Sequence, residues 1–385
     1  MTDKPFSDKE VERRQQAIRD CLDATEAFVA FSFTASYYFS GAPIVHWGRP
    51  TITVVPQSAP VFVVTSAMEA PRLESLGHIH DVQVYTDSDG PSLPTALSRL
   101  SGALQDRGIN SIAFDASMTP YTNLALLKEM YPELATRDGS ADLNALRKVH
   151  SEEEVAQIRK AVATSDVGVN IILEQAKIGQ PESDVAAMAA QAMAEFSGAT
   201  YPETEMSLRC YSQQGDRTLQ PHSGTGGDPL MQGNLLQIVI EASAWQYLSA
   251  VERTVALGHL PAEQDAYFET LAEAHEAALA AAQPGVPLSA PHRAANAIFT
   301  RDGFGESPVG TGLLRGVVSE WEGRIEEGNL RGYNNAPLQP GMVMSIEPYT
   351  FVPGVGATRH CDMVLITQTA NECISKAPRG RLRIG

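Results

Sequence analysis

Cysteine is scarce: there are four in 385 residues, at positions 21, 210, 361 and 373, and no two form a Cys-x-x-Cys pair. That spacing argues against a disulfide framework or a zinc knuckle and points to reduced thiols in the cytoplasm. No apolar run approaches the ~18 residues of a membrane-spanning helix, so no membrane partner is expected. The opening ten residues lack the apolar core of a signal peptide. Positive charge is also short, with 29 Lys and Arg against 46 Asp and Glu, a formal net charge of −17. Such a balance disfavours nucleic acid and anionic membranes as partners. Repeats at solenoid spacing and low-complexity tracts are missing too. What remains has the composition of a globular protein, 43% hydrophobic and 19% charged, long enough for two or three domains' worth of core.

The first 150 residues alternate. An amphipathic helix over 8–25 carries Val11, Ile18 and Leu22 near one face. Strand-like runs follow at 27–32, 52–55, 61–65, 82–85 and 111–114, interleaved with helices near 67–76, 93–106 and 121–131. That alternation predicts an α/β domain. A connector at 143–150 leads to Ser151-Glu-Glu-Glu154, a capping box in which serine hydroxyl and glutamate satisfy each other's free backbone N–H groups. Helices over 151–172 and 182–196 come next, then strands at 205–211, 235–240 and 246–257. Two more helices, 262–282 and 289–302, precede strands at 341–347 and 362–367. The domains expected are 1–146 and 147–385.

Chemistry-bearing residues stand at the ends of these strands. Glu252 lies in Val251-Glu-Arg-Thr254 and Glu347 in Ser345-Ile-Glu-Pro-Tyr349. A carboxylate at a strand end, with proline closing the ladder, faces a cleft more readily than one in mid-strand. Two converging carboxylates make a cation pocket, since a guanidinium pairs with them two by two. His222 sits in Gln220-Pro-His-Ser-Gly-Thr225, and imidazole suits proton transfer because its pKa lies near working pH. Arg49 and Arg324 each follow a glycine and can bind a carboxylate bidentately, while Trp47 can cover an organic cation. The structural alternative for each is ordinary: a solvated carboxylate, an inert loop histidine, a core aromatic.

These motifs, in this order, resemble the creatinase/aminopeptidase P/methionine aminopeptidase superfamily of pita-bread enzymes over nearly the whole chain. The resemblance implies an α/β N-terminal creatinase-type domain and an α+β pita-bread C-terminal catalytic domain. Metal-dependent members hold two ions with Asp, Asp, His, Glu and Glu. The matching positions here are Val239, Ala250, Leu313, Glu347 and Cys361, which predicts a metal-free site and no cofactor. Glu241, His360 and Asp362 stand nearby but fit no known ligand spacing. Creatinase is the metal-free member, and its pattern assigns His222 as acid/base and Glu252 and Glu347 as holders of the substrate cation. Arg324 and Arg49 would hold the substrate carboxylate, with Arg49 and the cation-covering Trp47 coming from the neighbouring subunit of a homodimer. Tyr247, Leu248, Cys361 and His360 would line the pocket, and Leu248 and Cys361 depart from the creatinase residues there. The expectation is a metal-independent C–N hydrolase of a small zwitterionic guanidino or amidino carboxylate such as creatine. The alternatives are an ectoine-type cyclic-amidine hydrolase, a metal-dependent Xaa-Pro peptidase or sulfonium-acid lyase, and a non-catalytic binding module.

Overall fold

The computed structural model describes residues 4–44, 48–316 and 325–385. Contacts divide these into two compact units, the first running to Arg147 and the second starting at Lys148.

The first unit follows the chain as α1 (Asp8–Arg19), β1 (Glu26–Ala30), α2 (Phe33–Ser40), β2 (Ile52–Pro56), β3 (Phe62–Ser66), α3 (Ala70–Leu76), β4 (Asp81–Tyr85), α4 (Ser92–Asp106), β5 (Ser111–Phe114), α5 (Tyr121–Met130), β6 (Ala135–Asp138) and α6 (Ser140–Arg147). The strands form one six-stranded sheet in the order β4-β3-β2-β1-β5-β6. β1 pairs antiparallel with β2, and β2 with β3; the outer pairings are parallel. Alternation sends Val29, Val54 and Val64 to one face, where they meet Leu97, Leu100 and Leu104 of α4 and Leu127 of α5. Each such buried side chain contributes ~1.5–3 kcal/mol. Helix α1 is shorter than its sequence pattern predicts, ending at Arg19. Helix α2 has no amphipathic signature because all eight of its residues are buried. It starts where buried Asp115 accepts from the amides of Phe31 (3.0 Å) and Ser32 (3.1 Å), and where the Ser32 hydroxyl caps Ala35.

The second unit runs α7 (Glu152–Gln175), α8 (Glu182–Thr200), β7 (Met206–Gln214), β8 (Leu235–Ala244), β9 (Tyr247–Leu257), α9 (Ala262–Ala281), α10 (Ser289–Arg301), β10 (Gly312–Leu314), β11 (Val343–Ile346), β12 (Asp362–Ile366), β13 (Asn371–Cys373) and β14 (Leu382–Ile384). Two four-stranded sheets result, ordered β14-β9-β8-β7 and β10-β11-β12-β13. They meet through reciprocal backbone bonds between Glu252 and Cys361, 3.1 and 2.9 Å. Helices pack on the backs of both. Gly168 lets α7 close on β8: a Cβ there would lie 2.5 Å from the Met193 sulfur and 2.9 Å from Ile240. On the other sheet, Leu314, Met344, Ile346, Val364 and Ile366 meet Phe268 and Leu271 of α9 and Phe299 of α10.

Both arms of the capping box are present: the Glu154 amide donates to the Ser151 hydroxyl (3.2 Å) and the Ser151 amide to the Glu154 carboxylate (2.8 Å). The β8–β9 hairpin turns at Trp245 and Gln246, both with left-handed backbones, φ 48° and 64°. Two left-handed central residues make the tight turn whose twist matches its strands, usually with asparagine or glycine. No helix among the described residues is long and apolar enough to cross a membrane.

Candidate active site

Strand alternation builds the site. In β7, β8 and β9 the register sets Arg209 beside Glu241, Tyr211 beside Val239, and Val239 beside Glu252. These side chains and Ala250 share one face. In the other sheet the residues opposite the α9–α10 core are Leu313, Ser345, Glu347 and Cys361. The Glu252–Cys361 junction brings the two sets together. Gly312 permits the close pairing of β10 and β11, since a Cβ there would sit 2.0 Å from the Ser345 carbonyl oxygen.

Three acidic or thiol groups converge. Glu252, Glu347 and Cys361 each offer one ligand atom, all within 4.8 Å of one another. Glu252 is 2% exposed. Its Oε1 accepts from Arg359 Nη2 at 3.3 Å, and its Oε2 forms an ion pair with Arg359 Nε. Burial pushes Glu252 up to about 7, against the pull of Arg359 and with help from Glu347 and Glu241. Burial likewise drives the Cys361 thiol well above its usual range, and Glu347 and Glu252 add to it. Arg359 lies over the Tyr349 ring, 5.3 Å from its centroid. Arg315 extends past the end of β10, donates from Nε to Ser345 Oγ (3.0 Å), and places Nη2 4.0 Å from Glu347. Arg209 reaches Glu241 at 3.2 Å.

The remaining sequence candidates fall in several places. His222 is exposed, in the loop beyond β7. The hydroxyl of Tyr211 donates to the neighbouring Pro221 carbonyl at 3.4 Å. Leu248 shares the face of Ala250 and Glu252. Tyr247, one residue earlier, points the other way and donates to Glu154 at 2.9 Å. His360 also faces away from Cys361; its Nδ1 accepts from the Thr254 amide at 3.3 Å, and its ring packs at a tilt against His275 with centroids 5.5 Å apart. Arg49 belongs to the first unit, where it pairs with Asp87 through Nε (3.2 Å) and Nη2 (2.6 Å). Trp47 and Arg324 lie outside the described residues. Arg315, Arg359 and Tyr211 were not anticipated. The signal for the two arginines was present, because each stands two residues from a position already singled out, Leu313 and Cys361.

The two sheets joined at the Glu252–Cys361 junction, with helices packed behind them, form a pita-bread domain. The chain belongs to metallopeptidase family M24, whose profile matches residues 156–368, and a creatinase/prolidase N-terminal domain profile matches residues 14–149. An Xaa-Pro dipeptidase from Pyrococcus horikoshii is 28% identical over 275 residues, 71% of this chain and 75% of that protein. A creatinase from a Bacillus species is 26% identical over 387 residues, 97% of this chain and 92% of that protein. Among solved structures, a prolidase from Thermococcus sibiricus superposes with a TM-score of 0.84 at 19% identity, covering 98% of this chain and all of that one.

These findings correct the metal-free, creatinase-like reading. The family is one of metallopeptidases, and Glu252, Glu347 and Cys361 form a candidate ligand group that counting residues at the five expected positions does not reveal. With that reading go the amidinohydrolase activity on a non-peptide C–N bond, the small zwitterionic substrate and the creatinase-type pocket. The donor set fits one divalent ion, since two carboxylates and a thiol converge within 4.8 Å; to bind it, Glu252 Oε2 would exchange its ion pair with Arg359 for the metal. It does not fit two, because Val239, Ala250 and Leu313 offer no donors.

Proposed function

We propose that the chain is a hydrolase that cuts the bond preceding proline in small Xaa-Pro peptides, with one divalent ion held by Glu252, Glu347 and Cys361. The observation that carries this reading is the convergence of those three side chains within 4.8 Å at the junction of the two sheets. Membership of the metallopeptidase family and the likeness to an Xaa-Pro dipeptidase support it. A bound ion would polarise the scissile carbonyl and make water a nucleophile at neutral pH.

The chain's own residues supply the rest. Arg315 and Arg359 keep positive charge beside the carboxylates, where negative charge develops as the carbonyl is attacked. The leaving group is proline's own ring nitrogen, which has no hydrogen in the peptide and must gain a proton to depart as an amine; His222 on its exposed loop is the group we assign to deliver that proton. Val239, Leu248, Ala250 and Leu313 give the face apolar ground against which a pyrrolidine ring can lie. All four thiols are unpaired, which favours a reducing compartment such as the cytoplasm.

The test is to strip the protein with chelator, restore Zn²⁺, Mn²⁺ or Co²⁺ singly, and follow proline release from Xaa-Pro dipeptides by mass spectrometry, with Xaa-Ala dipeptides as controls. Metal-restored proline release with little cleavage of the controls is expected. No uptake of any of the three ions and no proline release would sink the reading.

A further inference from the structure

The front face carries three carboxylates, and each has an arginine. Arg209 is half exposed and reaches Glu241 from the rim. Arg359 is tied to Glu252 by a direct ion pair. Arg315 is different: it is 8% exposed, its guanidinium is held among the described residues through Nε by Ser345 Oγ, and it stands 4.0 Å from Glu347, beyond hydrogen-bond reach. Its backbone is fixed as well, with its amide on the Val343 carbonyl at 2.8 Å. Burial by itself would weaken its hold on the proton. The surrounding Glu347, Glu241, Cys361 and Glu252 outweigh that and keep it charged. A permanent cation is thus fixed beside the ligand group without being consumed by a tight pair of its own.

We propose that Arg315 is an internal cation that competes with a divalent ion for Glu347, so that the centre takes up one ion and takes it up weakly. The proposal rests on the single-ion centre assigned above. Two positive groups near one carboxylate repel each other across a low-dielectric space, so ion entry is opposed for as long as Arg315 holds its place. Leu313, two residues earlier on the same edge, supplies no donor to offset that repulsion.

The experiment is isothermal titration of chelator-stripped protein with Zn²⁺ and with Mn²⁺, comparing wild type, Arg315→Met, Arg315→Gln and Arg315→Lys. Circular dichroism checks that each is folded. Arg315→Gln serves if the methionine variant does not fold, because it is neutral yet still able to bond Ser345. The expected result is one ion per wild-type chain, at least ten-fold tighter binding in the neutral variants, and affinity near wild type in the lysine variant. Unchanged or weaker binding in folded neutral variants overturns the role of Arg315 and leaves the metal centre standing. Binding by none of the proteins overturns both.

Discussion

Two buried arginine–carboxylate pairs lie back to back where the sheets join, and they behave differently. Glu252 and Arg359 face the site, while Arg253 and Asp362, each one residue along from a site residue, face the helices. Behind the sheet, Arg253 donates to Asp362 Oδ1 (2.7 Å) and to the carbonyls of Glu252, Cys361, Ala377 and Pro378. Asp362 also accepts from the Ser375 hydroxyl at 2.6 Å. Burial pushes the Asp362 carboxyl upward, yet Arg253, His275 and Ser375 together hold it below its usual range. In front, Glu252 has Arg359 and still rises to about 7. The difference is in the number of fixed partners, not the presence of an arginine: Arg253 is held by four carbonyls and by Asp362, whose Oδ1 also takes the Ser375 hydroxyl, whereas Glu252 meets only Arg359 and has Glu347 and Glu241 pushing its proton affinity up.

The sharpest way to break this comparison is to remove one carboxylate at a time. Asp362→Ala strands a buried guanidinium and should cost about 3–5 kcal/mol in urea unfolding; a loss below about 1 kcal/mol would show that the rear pair is not locked. Glu252→Gln should cost less than about 2 kcal/mol, because Arg359 keeps the Tyr349 ring and the charge of Glu347. The same change should lower metal-supported proline release by about 100-fold or more. Equal stability losses for the two variants would erase the distinction.

Acid should act on the rear. His275 packs against Asp362 (Nε2–Oδ2 3.4 Å), and burial lowers it from 6.5 to about 4. An unfolded chain takes up that proton first as pH falls, so the neutral histidine's contribution is full above pH 6.5 and lost as pH falls through about 4. Stability should fall by up to about 1.4 kcal/mol per pH unit within that window. The lowered carboxyl of Asp362 adds a further loss below it. Urea midpoints at pH 7, 5.5 and 4.5 measure the slope, and His275→Gln should flatten it. The smallest effect is expected at the hairpin tip, remote from both pairs: Gln246→Gly relieves a left-handed backbone and should stabilise by about 0.5–1 kcal/mol, with no change in metal affinity.

Much of the architecture was readable before the structure. Strand-like apolar runs and the capping box at Ser151–Glu154 mark the strands and the start of α7, and Glu252 and Glu347 lie close together. Helix α2 left no pattern because it buries every side chain, and periodicity reports only elements with two unlike faces. The ligand group was missed for a related reason. Matching position by position finds Ala250 where a metal ligand would stand and leaves Glu252 only as a holder of a substrate cation, but Glu252, two residues further on, shares that face and reaches Glu347 and Cys361. Arg315 and Arg359 follow the same two-residue step from Leu313 and Cys361. Tyr247 and His360 are neighbours in sequence of pocket positions, and in a strand a neighbour looks the opposite way.

The carboxylate of Glu154 closes the capping box with one oxygen and takes the Tyr247 hydroxyl with the other. A helix start is normally where exchange with solvent deuterium is fastest, since end turns fray. Here fraying would release a buried phenol ninety-three residues away, so the first turn of α7 opens only when the hairpin does. The amides of Ser151 and Glu154 should therefore exchange on the timescale of β9, not on that of a helix end.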